Sequence, residues 1–432
     1  MDWKALYQAR RTDADTAMEA VKTGDRITVP FAAGQPKSTL DALARRIRQL
    51  EYIDIAQLVT ITTDIPYLAP DIVDKVRFTT SYVGAVTRDH VAKGTGHFAP
   101  CFLKDFPIMY STAYDPTVAL IQVSPPDRHG FVSLGTSVDH NKASVAHAKT
   151  VIAEVNPQMP RTHGDSFLHV SEIDYFVECD HPVLEIPRPR ISDVERRIGE
   201  YVSTLIRDGD CLQLGIGAIP DALLCCLTDK KGLGIHTEMF SDGVMDLYQA
   251  GAIDNTRKTL HRGKMVTTFL MGTRALYDFV DDNPGVMVCP CDYTNNPWVI
   301  AQNENMVSVN SSVEVDLMGQ AASESIGTRQ YSGVGGQVDF IRGALASKGG
   351  RAVLALPSTA GKDEKRVSKI VARLGAGTPV TTSRNDVDYV VTEYGIADLR
   401  YKTLDQRAEQ LIAIAHPDYR SELRAELAKM NW

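Results

Sequence analysis

The sequence of 432 residues has little cysteine and no long apolar run. Its seven cysteines are scattered between Cys101 and Cys291, and this odd, sparse count argues against a disulfide scaffold and favours a reducing compartment. No stretch of about 18 apolar residues occurs, so we predict no transmembrane helix and no membrane partner. The N-terminal MDWKALYQARR is charged and has no apolar core. We therefore expect no signal peptide and a cytoplasmic location.

An excess of basic charge is also missing. The net charge is −8 and the isoelectric point is about 5.8. Non-specific nucleic-acid binding needs a basic surface, so this charge balance argues against a nucleic-acid partner. It leaves room for a small anionic ligand, because a few cationic side chains and backbone N–H groups can bind phosphate within an acidic protein.

Several catalytic motifs are absent from the sequence. It contains no Gly-x-Ser-x-Gly nucleophile elbow, no Gly-x-x-x-x-Gly-Lys-Ser/Thr phosphate loop and no His-Glu-x-x-His zinc helix. Cys289-Pro-Cys291 has no second Cys or His pair at zinc spacing nearby. We interpret these cysteines as small buried apolar residues and predict no metal site. His129 and His140 are expected to have surface or loop roles.

Short β-branched runs alternate with helical patterns along the chain. This alternation predicts an α/β fold with largely parallel sheets. The predicted strands are 26–29, 117–123, 151–155, 211–214, 306–310, 352–356 and 389–392. The predicted helices are 2–21, 38–49, 193–207 and 404–414.

Two segments of the chain resemble each other. Residues 23–36 and 208–220 each have Gly-Asp at their second and third positions, continue as a predicted strand and end in a turn that contains glycine and proline. The similarity suggests two related α/β halves, joined near the stiff segment Pro187-Arg188-Pro189. We accordingly predict domains at 1–187 and 188–432. Chance similarity over so short a stretch is the alternative.

A glycine-rich turn at 214–220 could carry chemistry. Its glycines allow close backbone approach, and Pro220 suits the first turn of a helix. Such a turn presents free N–H groups to an anion or a polarised carbonyl. It is not the dinucleotide fingerprint, because Pro220 occupies the third glycine position. A purely structural turn is the alternative.

Glu238 follows this turn by about two dozen residues and precedes Ser241-Asp242-Gly243, a turn or helix-start signal. A helix and a short loop would return the chain beside the carboxyl end of the first strand, where open α/β sheets bind ligands. On local sequence alone, a solvated glutamate is the alternative.

Three further segments have two interpretations each. The glycines of 333–336 indicate either close backbone approach or a tight turn. The asparagines of 293–297 could be hydrogen-bond donors or turn formers. Lys348 could contact phosphate or be a solvated loop residue.

Taken together, these segments resemble the acetyl-CoA hydrolase/transferase family, most closely its 4-hydroxybutyrate and butyrate CoA-transferase branch. The likeness includes Ala-Ala-Gly-Gln-Pro-Lys at 32–37 and Gly-Gly-Gln-Val-Asp-Phe at 335–340. It continues in order over nearly the whole chain, at 123–130, 133–139, 154–160, 212–220, 238–243, 309–316, 355–357 and 392–399. This coverage favours the functional interpretation of Glu238 and of the glycine turns.

The resemblance implies two related open α/β domains of the CoA-transferase type, with the active site between them and the catalytic glutamate in the second. It implies that Glu238 forms a glutamyl-CoA thioester and that Asn295 and Gly335 orient it. The implied CoA contacts are Gly215, Ile216, Gly217, Ala218, Ile219, Val313, Gly336 and Lys348. Residues 61–66 depart from the sequence pattern of that CoA-transferase branch. The resemblance therefore does not specify which carboxylic acid is the substrate.

The function implied is transfer of CoA from acyl-CoA to short-chain acids such as 4-hydroxybutyrate, butyrate or acetate, by a ping-pong mechanism. CoA is then a substrate, no cofactor is tightly bound, and a homodimer is expected. One alternative is an acyl-CoA hydrolase on the same scaffold. Others are a non-catalytic CoA-binding protein, which should have lost Glu238, and an isomerase-like enzyme that uses Glu238 as a base and recognises phosphate without CoA.

Overall fold

A computed structural model describes residues 2–432, which form two compact units. The first unit comprises the chain up to Pro187 together with Val266–Thr294, and the second comprises Arg188–Met265 and Asn295–Trp432. The segment 266–294, which lies within the predicted second domain, thus packs with the first unit. The predicted α/β class with parallel sheets is confirmed. The domain boundary between residues 187 and 188 stays a prediction.

The α-helices are short and are distributed over both units. They are α1 (Trp3–Arg10), α2 (Ala14–Met18), α3 (Lys37–Ile47), α4 (Arg88–Lys93), α5 (Phe106–Met109), α6 (Asn141–His147), α7 (Asp193–Thr204), α8 (Ala218–Cys225), α9 (Asp242–Gln249), α10 (Arg274–Val280), α11 (Cys291–Thr294), α12 (Pro297–Ile300), α13 (Gln337–Ala346), α14 (Leu404–Ile414) and α15 (Arg420–Leu427). Within residues 2–432, none of the helices has both the length and the apolar character that crossing a bilayer requires.

The strands up to residue 178 are β1 (Arg11–Thr12), β2 (Arg26–Thr28), β3 (Ile53–Ala56), β4 (Val76–Thr80), β5 (Gly96–Phe98), β6 (Val118–Val123), β7 (Phe131–Ser133), β8 (Thr150–Val155), β9 (His163–Gly164), β10 (Phe167–His169) and β11 (Tyr175–Glu178). Those up to residue 288 are β12 (Cys211–Leu214), β13 (Gly234–Ile235), β14 (Met239–Phe240), β15 (Met265–Thr267), β16 (Phe269–Leu270) and β17 (Val286–Val288). The remainder are β18 (Met306–Ser311), β19 (Glu314–Asp316), β20 (Ala321–Ala322), β21 (Ser325–Ile326), β22 (Arg329–Gln330), β23 (Arg351–Ala355), β24 (Thr359–Ala360), β25 (Val367–Ser368), β26 (Ile370–Val371), β27 (Tyr389–Thr392) and β28 (Gly395–Asp398).

The first unit is built on an eight-stranded parallel sheet in the order β1-β11-β8-β6-β2-β3-β4-β5. All six residues of β6 are buried, as expected for a strand of a parallel sheet that is covered on both faces. On one face, Leu43 of α3 packs in a cluster with Ile55 and Phe78 of the sheet. Burial of this apolar surface is the main stabilising contribution to the unit.

The second unit is built on a six-stranded sheet in the order β13-β12-β18-β23-β27-β28. Its strands are parallel except for the antiparallel pair β27 and β28. Because β13, β12 and β18 run in the same direction, the chain leaves all three at one edge of the sheet. The loops that follow these strands therefore converge at that edge.

The predicted strands agree with the structure, but one predicted helix is wrong. The helices predicted at 38–49, 193–207 and 404–414 correspond to α3, α7 and α14. The helix predicted at 2–21 is instead split into α1, β1 and α2. The interruption arises because Arg11 and Thr12 pair with Phe176 and Val177 of β11, and because Asp13 caps α2 by accepting from Thr16 N–H at 2.9 Å.

The two helices α7 and α8 cross closely at Gly199. A Cβ atom at this position would lie 2.8 Å from the carbonyl carbon of Ala222 and 2.9 Å from the backbone nitrogen of Leu223. These are backbone atoms of α8, so they cannot move aside as a flexible side chain could. The contact therefore requires glycine inside α7, despite its low helix propensity.

We predict that Gly199→Leu destabilises the protein by about 1–3 kcal/mol, because the larger side chain forces the two helices apart. Helix propensity alone would favour leucine by about 0.8 kcal/mol, so a net loss isolates the steric effect. The exposed neighbour Glu200 is the matched control, and Glu200→Leu should change stability by less than about 0.5 kcal/mol. Urea unfolding measures both. Equal stability of Gly199→Leu and the wild-type protein would refute the close crossing.

Candidate functional site

The candidate site lies at the carboxyl edge of the sheet in the second unit. There, Leu212 of β12 pairs with Ile235 of the parallel strand β13. Beyond the strands, Thr237 Oγ1 lies 3.3 Å from the Leu214 backbone nitrogen and 3.0 Å from the Leu214 carbonyl oxygen. Thr237 thus holds the chain after β13 against the end of β12. Glu238 is the next residue.

The Glu238 carboxylate has two identified hydrogen-bond donors. The side-chain amide Nδ2 of Asn295 donates to Glu238 Oε2 at 2.8 Å, and the backbone N–H of Gly336 donates to the same carboxylate. Burial nevertheless raises the pKa of Glu238 from its ordinary 4.5 to about 7, against the opposite effect of the two donors. Desolvation is therefore the dominant influence on this carboxyl group.

Gly336 must be glycine for the carboxylate to occupy this position. A Cβ atom there would lie 1.9 Å from Glu238 Oε2 and 2.2 Å from Asn295 Nδ2. The preceding residue, Gly335, has φ +54, a left-handed conformation that glycine adopts readily. This turn leads into α13, for which Gly336 is the N-cap residue. The two glycines thus combine close backbone approach with a tight turn.

The neighbouring asparagines at 295 and 296 have different roles. Asn295 is fully buried, and its Oδ1 atom has no hydrogen-bond partner among the described residues. The bond to Glu238 is therefore the contact that orients its amide. Asn296 instead caps α12, where its Oδ1 accepts from Trp298 N–H at 3.0 Å. Asn295 is thus a hydrogen-bond donor, as one interpretation of this segment had it, whereas Asn296 is a helix cap.

The glycine turn at 215–219 lies at the same edge, directly after β12. Gly217 has φ +115 and is the N-cap residue of α8, while Ile216 is 45% exposed. A Cβ atom added at Gly215 or Gly217 would meet no atom within 4 Å. The backbone of the turn thus borders open space and presents the N-terminus of α8, with Ala218 and Ile219 forming its first residues.

Val313 also lies at this edge, after β18, which pairs with β12 through Leu214 and Val309. Its backbone N–H donates to the Ala322 carbonyl at 2.9 Å. That N–H already has a partner within the protein, so the side chain and carbonyl of Val313 are the groups it can offer to a ligand.

Lys348 is not brought to Glu238. It follows α13 at the end opposite to Gly336, and a helix of 10 residues is about 15 Å long. The Lys348 side chain is 82% exposed and pairs with Glu304 at 3.2 Å. Its role as a CoA contact stays a prediction.

The sequence did not identify Thr237, nor a pair of side-chain amides in the strands just before the carboxyl edge of the sheet. Gln213 of β12 and Asn310 of β18 hydrogen-bond to each other through both amides, at 3.3 and 3.0 Å. They join the two strands next to the glycine turn. A polar residue inside an apolar strand just before that turn was the available signal for Gln213.

His140 lies in a turn, as predicted, but it is fully buried in the first unit. Its ring lies 5.0 Å from that of Phe31 and 4.6 Å from that of Tyr110, between centroids. Desolvation lowers the pKa of His140 to about 3, so the ring stays neutral. It is a core residue. His129, by contrast, is exposed.

Comparison with known proteins gives concordant results. Sequence models of the acetyl-CoA hydrolase/transferase N-terminal and C-terminal domains match residues 1–187 and 272–427. The chain is 52% identical to the 4-hydroxybutyrate coenzyme A transferase of Clostridium kluyveri, over 99% of this chain and 100% of that protein. It is 44% identical to the succinyl-CoA:cyclohexane-1-carboxylate CoA transferase of Geobacter metallireducens, over 98% and 96%. A crystal structure of 4-hydroxybutyrate CoA-transferase from Porphyromonas gingivalis matches with a TM-score of 0.85 and 42% identity, over 99% and 100%.

We predict that Glu238→Gln stabilises the fold at neutral and alkaline pH. The pKa of Glu238 in the folded protein, about 7, exceeds its ordinary value of 4.5, so the unfolded chain ionises first as the pH rises. Wild-type stability therefore falls between pH 4.5 and pH 7 relative to the uncharged variant. The gain of the variant should reach about 1–3 kcal/mol above neutral pH and vanish in acid. Urea unfolding over a pH series measures it.

The exposed acid Glu422 of α15 is the control, because Glu422→Gln also removes one negative charge. Its stability relative to wild type should not follow the same pH profile. A Glu238→Gln difference that is constant across the series would contradict desolvation of the carboxylate.

Proposed function

The chain belongs to the acetyl-CoA hydrolase/transferase family and is a CoA-transferase, and we propose that Glu238 is its nucleophile. In this proposal, Glu238 carries CoA as a thioester between an acyl-CoA donor and a short-chain carboxylic acid. The observation that carries the proposal is the desolvated Glu238 carboxylate, held by Asn295 and Gly336 at the sheet edge. The nucleophile is assigned to the proposed C-terminal domain, 188–432.

The proposed reaction conserves the energy of the thioester. Ionised Glu238 attacks the acyl-CoA carbonyl carbon, the carbon–sulfur bond breaks, and a mixed anhydride and a CoA thiolate form. The thiolate then attacks the glutamyl carbonyl, so that the substrate acid leaves as a carboxylate and glutamyl-CoA remains. A second acid reverses these steps. The sequence of steps needs no ATP, metal or tightly bound cofactor.

Burial of Glu238 serves the first step. A carboxylate that has lost part of its hydration shell is a stronger nucleophile than one in bulk water. It must still be ionised to attack. Since the pKa of Glu238 is about 7, a substantial fraction of the carboxyl group is ionised at neutral pH.

Asn295 and Gly336 serve the second step. In this scheme, Glu238 Oε2 keeps the hydrogen bond from Asn295 while the other oxygen bonds to the acyl group, and the Gly336 N–H remains beside the same carboxyl group. When the thiolate attacks, negative charge develops on Oε2. Preorganised donors at such an oxygen stabilise the transition state more than the ground state.

The turn Gly215–Ile219 and Val313 are proposed to contact CoA at the same edge, with Gly335 supporting the orientation of the thioester. Lys348 could reach only a part of CoA distant from the reacting sulfur, since it lies beyond the far end of α13. The similar proteins are named for different acids, 4-hydroxybutyrate in one and cyclohexane-1-carboxylate in another. We propose 4-hydroxybutyrate, butyrate and acetate as candidate acids here, and a cytoplasmic homodimer as the working form.

We predict that incubation with acyl-CoA followed by borohydride reduction modifies Glu238 and no other residue. Borohydride reduces the thioester carbonyl, so peptide mapping locates the carrier. Glu238→Ala should remain folded, take up no label and lose CoA transfer, because no other group forms the covalent intermediate. Acetyl-CoA with a panel of acids measures transfer.

Active enzyme that is labelled elsewhere or not at all would reject the proposed carrier, as would turnover by Glu238→Ala. The same panel of acids distinguishes a CoA-transferase from an acyl-CoA hydrolase. A transferase passes CoA to the added acid and releases no free thiol during turnover. Release of free thiol at a rate independent of added carboxylate would identify hydrolysis instead.

We predict that Asn295→Ala lowers the rate constant of transfer by about 10²–10³, because one donor to the developing oxyanion is lost. KM for acyl-CoA should change much less, since the effect falls on the transition state. The matched control is Asn296→Ala, which removes the cap of α12 and leaves the Glu238 contact in place. Equal losses in the two variants would indicate a structural effect alone.

A further inference from the structure

Three side chains of metal-binding type meet in the first unit, at the carboxyl ends of β8 and β11. Glu154 is the next-to-last residue of β8, Cys179 directly follows β11, and His181 lies two residues further on. The strands are parallel neighbours, with Glu154 opposite Val177. One ligand atom from each of the three side chains lies within 4.8 Å of the others.

One of the two short distances within this cluster matches the ligand spacing of a tetrahedral zinc site, and the other is shorter. Glu154 Oε1 lies 2.6 Å from His181 Nε2 and 3.5 Å from Cys179 Sγ. With Zn–S near 2.3 Å and Zn–N or Zn–O near 2.0–2.1 Å, neighbouring ligand atoms stand about 3.3–3.6 Å apart. The sulfur–oxygen pair already has this spacing. The nitrogen–oxygen pair needs to open by roughly 0.7 Å, a small rotation of one side chain.

The cluster also has the outer contacts that orient metal ligands. Glu154 Oε2 accepts from the Thr39 backbone N–H at 2.8 Å. His181 Nδ1 lies 3.2 Å from the Pro182 carbonyl oxygen. A histidine that binds a metal through one nitrogen typically donates its other N–H to such a carbonyl. In the metal-free protein, the 2.6 Å contact between His181 Nε2 and Glu154 Oε1 is a hydrogen bond that carries a proton; on metal binding that proton leaves to solvent, Nδ1 keeps its proton for Pro182, and the Nε2 lone pair binds the ion.

The exposure of the three side chains suits an ion that enters from solvent. Glu154 is fully buried, whereas Cys179 and His181 are partly exposed. His181 now pairs with the buried carboxylate, and a cation would take over the compensation of its negative charge, with a water molecule from the solvent side as the fourth ligand.

We propose that Glu154, Cys179 and His181 bind one divalent cation of the zinc class, with water completing a tetrahedral site. A thiolate and an imidazole select such an ion over Mg²⁺ or Ca²⁺, which prefer oxygen ligands. On binding, the Cys179 thiol releases its proton to solvent. The ion joins the ends of β8 and β11, and through Glu154 and Thr39 it also fixes the start of α3. The site is independent of the proposed function of Glu238.

The test is a titration of the full chain with Co²⁺, which reports a thiolate ligand through a sulfur-to-cobalt charge-transfer absorption. We expect one equivalent to bind per chain and Zn²⁺ to displace it. Cys179→Ser should abolish the absorption, and His181→Ala should weaken binding at least about tenfold. The control Cys225→Ser removes an exposed cysteine of the second unit and should leave the absorption unchanged.

The absence of the charge-transfer absorption in the wild-type protein would overturn the site by itself, whatever the stability of the variants. Retention of the absorption in Cys179→Ser, with its circular dichroism unchanged, would also overturn it by identifying binding elsewhere. Should Cys179→Ser fail to fold, the affinity of His181→Ala decides, because unchanged binding there excludes the imidazole as a ligand.

Discussion

The hydrogen bond from Asn295 Nδ2 to Glu238 Oε2 is the contact around which the edge of the second unit is organised. It joins the chain that leaves β13 to the segment that leads into α12, and Gly336 adds the N-terminus of α13 to the same carboxylate. Two opposing requirements meet there. The carboxylate must lose water to become reactive, yet it must keep enough donors to ionise near neutral pH. The balance between burial and two donors satisfies both.

The sheet explains why these three segments meet. Parallel strands send successive loops to one edge, and Thr237 holds the chain after β13 to the end of β12. The amide pair of Gln213 and Asn310 joins β12 to β18 just beneath. Glu238, the glycine turn and Val313 are far apart in sequence, but each is the first accessible segment after its strand. The order of the strands in the sheet, more than the sequence of any single loop, therefore brings the residues of the site together.

Much of this could be predicted from the sequence, for identifiable reasons. Strands buried on both faces form continuous apolar runs, so β6, β8, β12, β18, β23 and β27 were recognisable locally. The helix predicted at 2–21 failed because Arg11 and Thr12 pair with β11, far along the chain, and no local pattern encodes that pairing. The family was predicted correctly because its motifs run in order over the whole chain.

The details of the site were less accessible. The sequence indicated that the glycines at 333–336 have a conformational or steric role. Only the fold shows the steric one, because a Cβ atom at Gly336 would collide with Glu238. Lys348 was assigned as a CoA contact from the family resemblance, which does not show that the helix α13 separates it from Gly336. The Glu154 cluster escaped notice because its first member stands far before Cys179 in sequence and is brought to it by the pairing of β8 with β11.

The return of residues 266–294 to the first unit has a consequence for synthesis of the chain. Ribosomes add about 5–20 residues per second, so this segment emerges several seconds after Pro187. During that interval all eight strands of the first sheet have already been synthesised, since the last of them ends at Glu178. The part of the unit that β17 and α10 will cover meanwhile stays open. The first unit therefore cannot be completed until the chain has been synthesised as far as Thr294, well into the sequence of the second unit.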